Sequence, residues 1–178
     1  MGAGTSSLLV EEIDEICEST NLTQDEVRSL YVRFLRLDKQ QTGKLTAGAL
    51  MMIPELAMNP LAPRMTHVFS EVNFRQFAEI LCVFGKKNTA SNQQLKREFI
   101  FKLYDVDEDG MISKDDLVHI LGLVLGGKDS LVEENIQQQL AQDMVNHADV
   151  DGDGLISPQE FGRVINDEHL KLGCTVQL

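Results

Sequence analysis

Three aspartates at alternate positions, Asp149, Asp151 and Asp153, followed by Glu160, place four carboxylates within the twelve residues DVDGDGLISPQE. Carboxylates this close repel one another and resist ionising together unless a cation lies among them. With Asp149 as position 1, acids stand at 1, 3, 5 and 12, Leu155 at 7 can offer its backbone carbonyl, and Ser157 stands at 9. An all-oxygen set at this spacing is that of a loop that wraps a calcium ion. Gly154 at position 6 supplies the sharp turn, which only a residue without a Cβ makes cheaply, and Ile156 at position 8 is apolar. An ordinary acidic surface turn would share the composition but not the spacing.

The pattern repeats 44 residues upstream as DVDEDGMISKDD, Asp105 to Asp116. Asp105, Asp107 and Asp109 repeat the first three ligands, Gly110 the turn, Met111 the carbonyl position and Ile112 the apolar position 8. The last position differs: Asp116 is one methylene shorter than glutamate and reaches an ion less easily with both oxygens. Two calcium ions are therefore expected per chain, the one in the Asp149 loop held more tightly, with dissociation constants of roughly 10⁻⁷ to 10⁻⁵ M.

Such loops work between two helices, and the flanking sequence supplies them. Leu95, Phe99 and Leu103, with Phe101 and Tyr104, form an apolar face before the first loop; Leu117, Ile120, Leu121, Val124 and Leu125 continue after it. Ile136, Leu140 and Met144 lead into the second loop, and Phe161, Val164 and Ile165 lead out. Ser157, Pro158 and Glu160 read as N-cap, first turn and reciprocal cap of the exit helix, and Ser113 with Asp116 as a weaker version.

The N-terminal half reads as the same architecture with its ligands lost. Thr23 and Glu26 cap a helix lined by Val27, Leu30, Tyr31, Phe34 and Leu37, which runs into DKQQTGKLTAGA. Asp38, Gly43 and Leu45 keep positions 1, 6 and 8, but Gln40 and Thr42 are neutral and Ala49 at 12 has no side-chain oxygen, so no useful calcium affinity is expected. A further remnant lies in FSEVNFRQF, where Val72 takes position 8 and the loop after Phe69 is about five residues short of one able to encircle an ion. Retaining such hands has a structural reason, since an unpaired hand leaves its apolar face in water. The fold class is thus all-α, two lobes of paired EF-hands, two of the four loops being degenerate. The expected boundaries are an N-terminal lobe over 1–84, a polar linker over 85–94, a C-terminal lobe over 95–166 and a tail over 167–178.

Composition narrows the function classes. The chain has 178 residues, 43% hydrophobic, enough for two packed lobes, and a formal charge of −12 that disfavours nucleic acid. Six of its 28 acids fall in the first loop and four in the second, so much of that charge belongs to ion sites. Cys17, Cys82 and Cys174 show no metal-type spacing and fit reduced thiols. No apolar run reaches membrane-spanning length and no signal peptide is evident, so a soluble, intracellular protein is expected. His67, His119, His147 and His169 are scattered and no nucleophile or phosphate-loop signature appears, which argues against an enzyme. Met51, Met52, Met58, Met65, Met111 and Met144 are more simply core residues, one or two of them facing an adaptable groove. MGAGTS matches M-G-x-x-x-[ST], making Gly2 a candidate for N-myristoylation.

Taken with IPELAMNPL at Ile53 to Leu61 and LYDVDEDG at Leu103 to Gly110, the chain resembles calcineurin B and, through TSSLLVEEIDEI, RLDK and VNFRQF, more closely the calcineurin B homologous proteins. The resemblance implies a myristoylated calcium-binding regulator, cytoplasmic and attached peripherally to the plasma membrane. Its hydrophobic groove would hold an amphipathic helix from the juxtamembrane tail of a sodium/proton exchanger, with the segment from Gly173 to Leu178 packed near the groove. The alternative is the regulatory B subunit of the calcium-dependent phosphatase calcineurin, bound to a helix of the catalytic subunit. Two bound calcium ions leave a charge of −8, which favours a basic partner helix.

Overall fold

The computed structural model describes residues 10–84, 90–125 and 134–165. Gly2, Cys174 and the segment 167–178 lie outside them. In chain order the elements are α1 (Val10–Thr20), α2 (Gln24–Leu37), β1 (Lys44–Thr46), α3 (Ala47–Leu50), α4 (Pro54–Ala57), α5 (Ala62–Val68), β2 (Glu71–Asn73), α6 (Phe74–Phe84), α7 (Ala90–Tyr104), α8 (Lys114–Leu125), α9 (Glu134–Ala148) and α10 (Pro158–Val164). The fold is all-α, with two lobes of paired EF-hands.

The N-terminal lobe is assembled as the spacing predicts. Thr23 and Glu26 close a capping box at the start of α2: the Glu26 amide donates to Thr23 Oγ1 at 3.3 Å and the Thr23 amide to Glu26 Oε2 at 2.8 Å. Val27, Leu30 and Phe34 are buried along one face of α2, and the Phe34 ring meets those of Phe74 and Phe77 edge-on, each at 5.5 Å. Beyond α2, Leu45 of β1 pairs with Val72 of β2 in an antiparallel register, so the two position-8 residues join the two degenerate loops. Only Ser70 separates Phe69, the cap of α5, from β2, which confirms a second loop too short to surround an ion.

Internal hydrogen bonds tie the first degenerate loop together. Asp38 is buried, accepting from the Gly43 amide at 2.7 Å through Oδ2 and from the Thr42 amide at 3.1 Å through Oδ1. The Thr42 hydroxyl lies 3.3 Å from the same Oδ1 and 3.0 Å from the Lys44 carbonyl, linking positions 1 and 7 as a bound ion would. Asp38→Ala removes an acceptor that two amides share and is expected to lower stability by about 1–2 kcal/mol, read by urea unfolding, with calcium stoichiometry unchanged. An unaltered unfolding midpoint would show that these bonds do not hold the loop.

Three features were not visible in the sequence. Helix α1, not assigned there, buries Ile13, Ile16 and Thr20 and packs on α2, α6 and α7. Residues 90–94, expected as linker, form the first turns of α7. That helix is also shared between lobes: besides α8 and α10 it packs on α1, α5 and α6, and Phe99 stacks on Phe69 with ring centroids 5.0 Å apart. One continuous core therefore spans both lobes. Among the described residues no helix is long and apolar enough to cross a membrane.

Candidate metal centres

Each C-terminal loop is suspended between two helices, α7 and α8 for the first and α9 and α10 for the second. The loops are tied back to back by reciprocal backbone bonds between Ile112 and Ile156, both 2.9 Å, so the position-8 residues fix the pair as in the N-terminal lobe. Gly110 and Gly154 take the left-handed conformation at position 6, with φ of 89° and 83°. Their amides donate to Asp105 Oδ2 at 3.0 Å and Asp149 Oδ2 at 2.8 Å, pinning each position-1 carboxylate.

In both loops the structure brings the three aspartates together. Asp105, Asp107 and Asp109 each direct a carboxylate oxygen to within 4.8 Å of the others, and Asp149, Asp151 and Asp153 do the same. Asp105 Oδ1 is buried with no hydrogen-bond partner, whereas Asp149 Oδ1 accepts from the Gly152 amide at 2.6 Å. The counterpart amide of Glu108 attracts the Asp105 carboxylate without closing a bond to Oδ1, and burial pushes the Asp105 carboxyl above its ordinary value. A buried, orphaned carboxylate oxygen among two further carboxylates fits a hard divalent cation.

The position-12 acids stand apart from these trios. Glu160 Oε1 accepts from the Val150 amide at 2.7 Å and the Asp151 amide at 3.4 Å, and Oε2 from the Ser157 amide at 2.9 Å and hydroxyl at 2.7 Å. These donors, the Ser157 amide first, hold the Glu160 carboxyl down at about 2. Asp116 is bonded in the same manner, from the Val106 amide at 3.0 Å and from the Ser113 amide and hydroxyl, both 2.7 Å. The shorter side chain reaches one loop amide where Glu160 reaches two. Met111 and Leu155 occupy position 7, half-buried, their amides donating to Asp109 and Asp153, each at 2.8 Å.

Several apolar residues expected to line helix faces are left uncovered. Ile136 and Leu140, one turn apart on α9, are 52% and 40% exposed, and Val124 and Leu125 at the end of α8 are exposed as well. Helices α8 and α9 pack against each other, so the four lie on neighbouring elements. On α2, Val32 and Leu35 are exposed opposite the buried face, and Met52 and Met58 also face outwards. Met65 is buried and Met51, Met111 and Met144 are half-buried.

Back-to-back loops with clustered aspartates define a calcium-binding EF-hand pair, and the family described as an EF-hand domain pair matches residues 94–165. Over the whole chain the similarity is more specific. The calcineurin B subunit of Naegleria gruberi is 41% identical over the full length of both proteins. The type 2 calcineurin B subunit of Dictyostelium discoideum is 35% identical over 99% of this chain and 94% of its own, and the calcineurin B subunit of Candida glabrata 32% over 99% and 98%. The chain belongs to the calcineurin B family of EF-hand proteins. These relatives are calcineurin B subunits, which leaves the sodium/proton exchanger partner without support.

Proposed function

We propose that the chain is the non-catalytic regulatory subunit of a calcineurin-type protein phosphatase, binding two calcium ions and an amphipathic helix of the catalytic subunit. The full-length identity of 41% to the calcineurin B subunit of Naegleria gruberi carries this reading. The uncovered residues Val124, Leu125, Ile136 and Leu140 support it, because neighbouring exposed apolar side chains mark a surface that a partner covers. In the proposed ligand set, Asp105, Asp107, Asp109, the Met111 carbonyl and Asp116 hold one ion, and Asp149, Asp151, Asp153, the Leu155 carbonyl and Glu160 the other. Calcium supplies the positive charge that lets each trio remain ionised together. Myristate on Gly2 belongs to the same proposal as a reversible membrane anchor, one chain giving only marginal attachment without the partner.

The deciding experiment titrates two peptides against the full chain with and without calcium, one from the phosphatase's regulator-binding helix and one from the juxtamembrane segment of a sodium/proton exchanger. Tighter binding of the phosphatase helix is the expected result. Preference for the exchanger segment would overturn it.

Acidity should separate the two loops. Calcium needs Asp105 ionised, and burial has raised the pH at which Asp105 takes up a proton, so affinity in its loop falls as pH descends through that raised value. Glu160 keeps its charge down to about 2, so its own protonation plays no part over this range. Calcium titrations between pH 7 and pH 4 should show the Asp105 loop emptying first; simultaneous loss would count against the assignment.

A further inference from the structure

Arg64 lies on α5, in the N-terminal lobe, yet its guanidinium is spent on the C-terminal one. It is 5% exposed. Nε donates to the Leu103 carbonyl at 3.2 Å, and Nη2 to the Lys102 carbonyl at 3.3 Å and the Asp105 carbonyl at 2.8 Å. These acceptors belong to the last turn of α7 and to the first residue of the loop it feeds. A helix leaves its final carbonyls without internal partners and carries partial negative charge at that end, so a fork of donors there satisfies both requirements.

The neighbouring contacts extend the connection. Nη1 of Arg64 lies 3.3 Å from His67 Nδ1, to which it can only donate, and Glu108 Oε1 lies 3.6 Å from the same ring nitrogen, which cannot bond both at once. Glu108 is position 4 of the Asp105 loop and takes a left-handed backbone with φ of 63°, where the second loop has Gly152 at 81°. No equivalent side chain from the N-terminal lobe reaches the Asp149 loop among the hydrogen bonds of the described residues.

We propose that Arg64 is a positioning residue for the calcium loop beginning at Asp105, supplied by the opposite lobe, which fixes the backbone of the first ligand before the ion arrives. The inference rests on the calcium reading of that loop. Charge and positioning predict opposite signs, which makes the role testable. A cation beside a cation site disfavours binding, so if charge alone mattered, removing Arg64 would tighten calcium. If Arg64 pre-forms the end of α7, removing it weakens calcium, because the three carbonyls lose their donor and Asp105 must be ordered at the ion's expense. Partners that orient ligands without touching the metal typically contribute 10–100-fold in affinity.

The two loops can be read separately in one sample, since the Gly110 and Gly154 amides donate to Asp105 and Asp149 respectively. Calcium titrations of the nitrogen-15-labelled full chain, following both amide signals, would compare wild type with Arg64→Met, Arg64→Lys and Arg75→Met. Arg75 is an exposed arginine of the same lobe, paired with Glu15 and Glu79, and controls for the lost charge. The expected result is about a 10-fold rise in dissociation constant at the Gly110 signal in Arg64→Met, a smaller rise in Arg64→Lys, and less than about 2-fold change at Gly154 or in Arg75→Met. An unchanged or tighter Gly110 response would overturn the proposal, as would equal weakening of both loops. A wild-type Gly110 signal that ignored calcium would instead defeat the reading of the loop itself. Should Arg64→Met not fold, hydrogen exchange on wild type decides by reciprocity: calcium should slow exchange across Ala62–Val68 if Arg64 couples that helix to the loop, and no slowing would refute it.

Discussion

Glu160→Gln is expected to weaken calcium in the Asp149 loop by about 100-fold or more, while the Asp105 loop keeps its affinity to within about 3-fold. Groups that merely orient metal ligands contribute 10–100-fold, so a side chain that both closes the loop and ligates should lie at or beyond the top of that range. The Glu160 carboxylate accepts from the amides of Val150, Asp151 and Ser157 and from the Ser157 hydroxyl. An amide side chain keeps one acceptor oxygen and presents an NH₂ where the other stood, against groups that are themselves donors. Titration calorimetry resolves the two sites. Asp116→Glu provides the complementary arm: if reach sets the ranking of the loops, the added methylene should tighten the Asp105 loop by about 10-fold. Two sites of unchanged affinity in Glu160→Gln would remove Glu160 from the ligand set.

The second large effect concerns the partner helix. Replacing Ile136 and Leu140 together by aspartate should lower affinity for the phosphatase helix by about 100-fold with little loss of stability. Both side chains are more than a third exposed in the free protein, so charge there costs the fold little. In a complex they would be covered; burying one such side chain is worth about 1.5–3 kcal/mol, and losing half of that at two sites accounts for about one to two decades, to which the cost of burying charge adds. Circular dichroism and calcium titration would verify that fold and metal sites survive. Peptide affinity unaltered by the double substitution would place the helix on another surface, the exposed Val32 and Leu35 of α2 being the next to test.

The aspartate clusters were legible in the sequence because they are local. Each trio lies within five consecutive residues, and alternate aspartates around a position-6 glycine have few other ways to arrange their carboxylates. The degeneracy of the first loop was legible for the same reason: Ala49 brings no side-chain oxygen to position 12, whatever surrounds it. Caps at Thr23, Ser113 and Ser157 followed from spacings of three residues. What the spacing did not reveal is how Asp38 and Thr42 tie the first loop together, because hydrogen bonds depend on where backbone amides point and not on residue type alone.

Features built from distant segments were decided by the tertiary structure. The polar run from Ala90 reads as linker by composition, yet it starts α7, because packing along the rest of that helix outweighs weak local preference in its first turns. Ile136 and Leu140 have the spacing of a buried face; whether another element covers them depends on elements far along the chain, and no periodicity records it. Arg64 is the plainest case. An arginine on a short helix reads as a solvated charge, and only the fold carries the end of α7, about forty residues later, to within hydrogen-bonding distance of its guanidinium. Residue type and spacing therefore determined which atoms could bind an ion, while long-range packing determined which of them is held in place by the other lobe and which apolar surface remains for a partner.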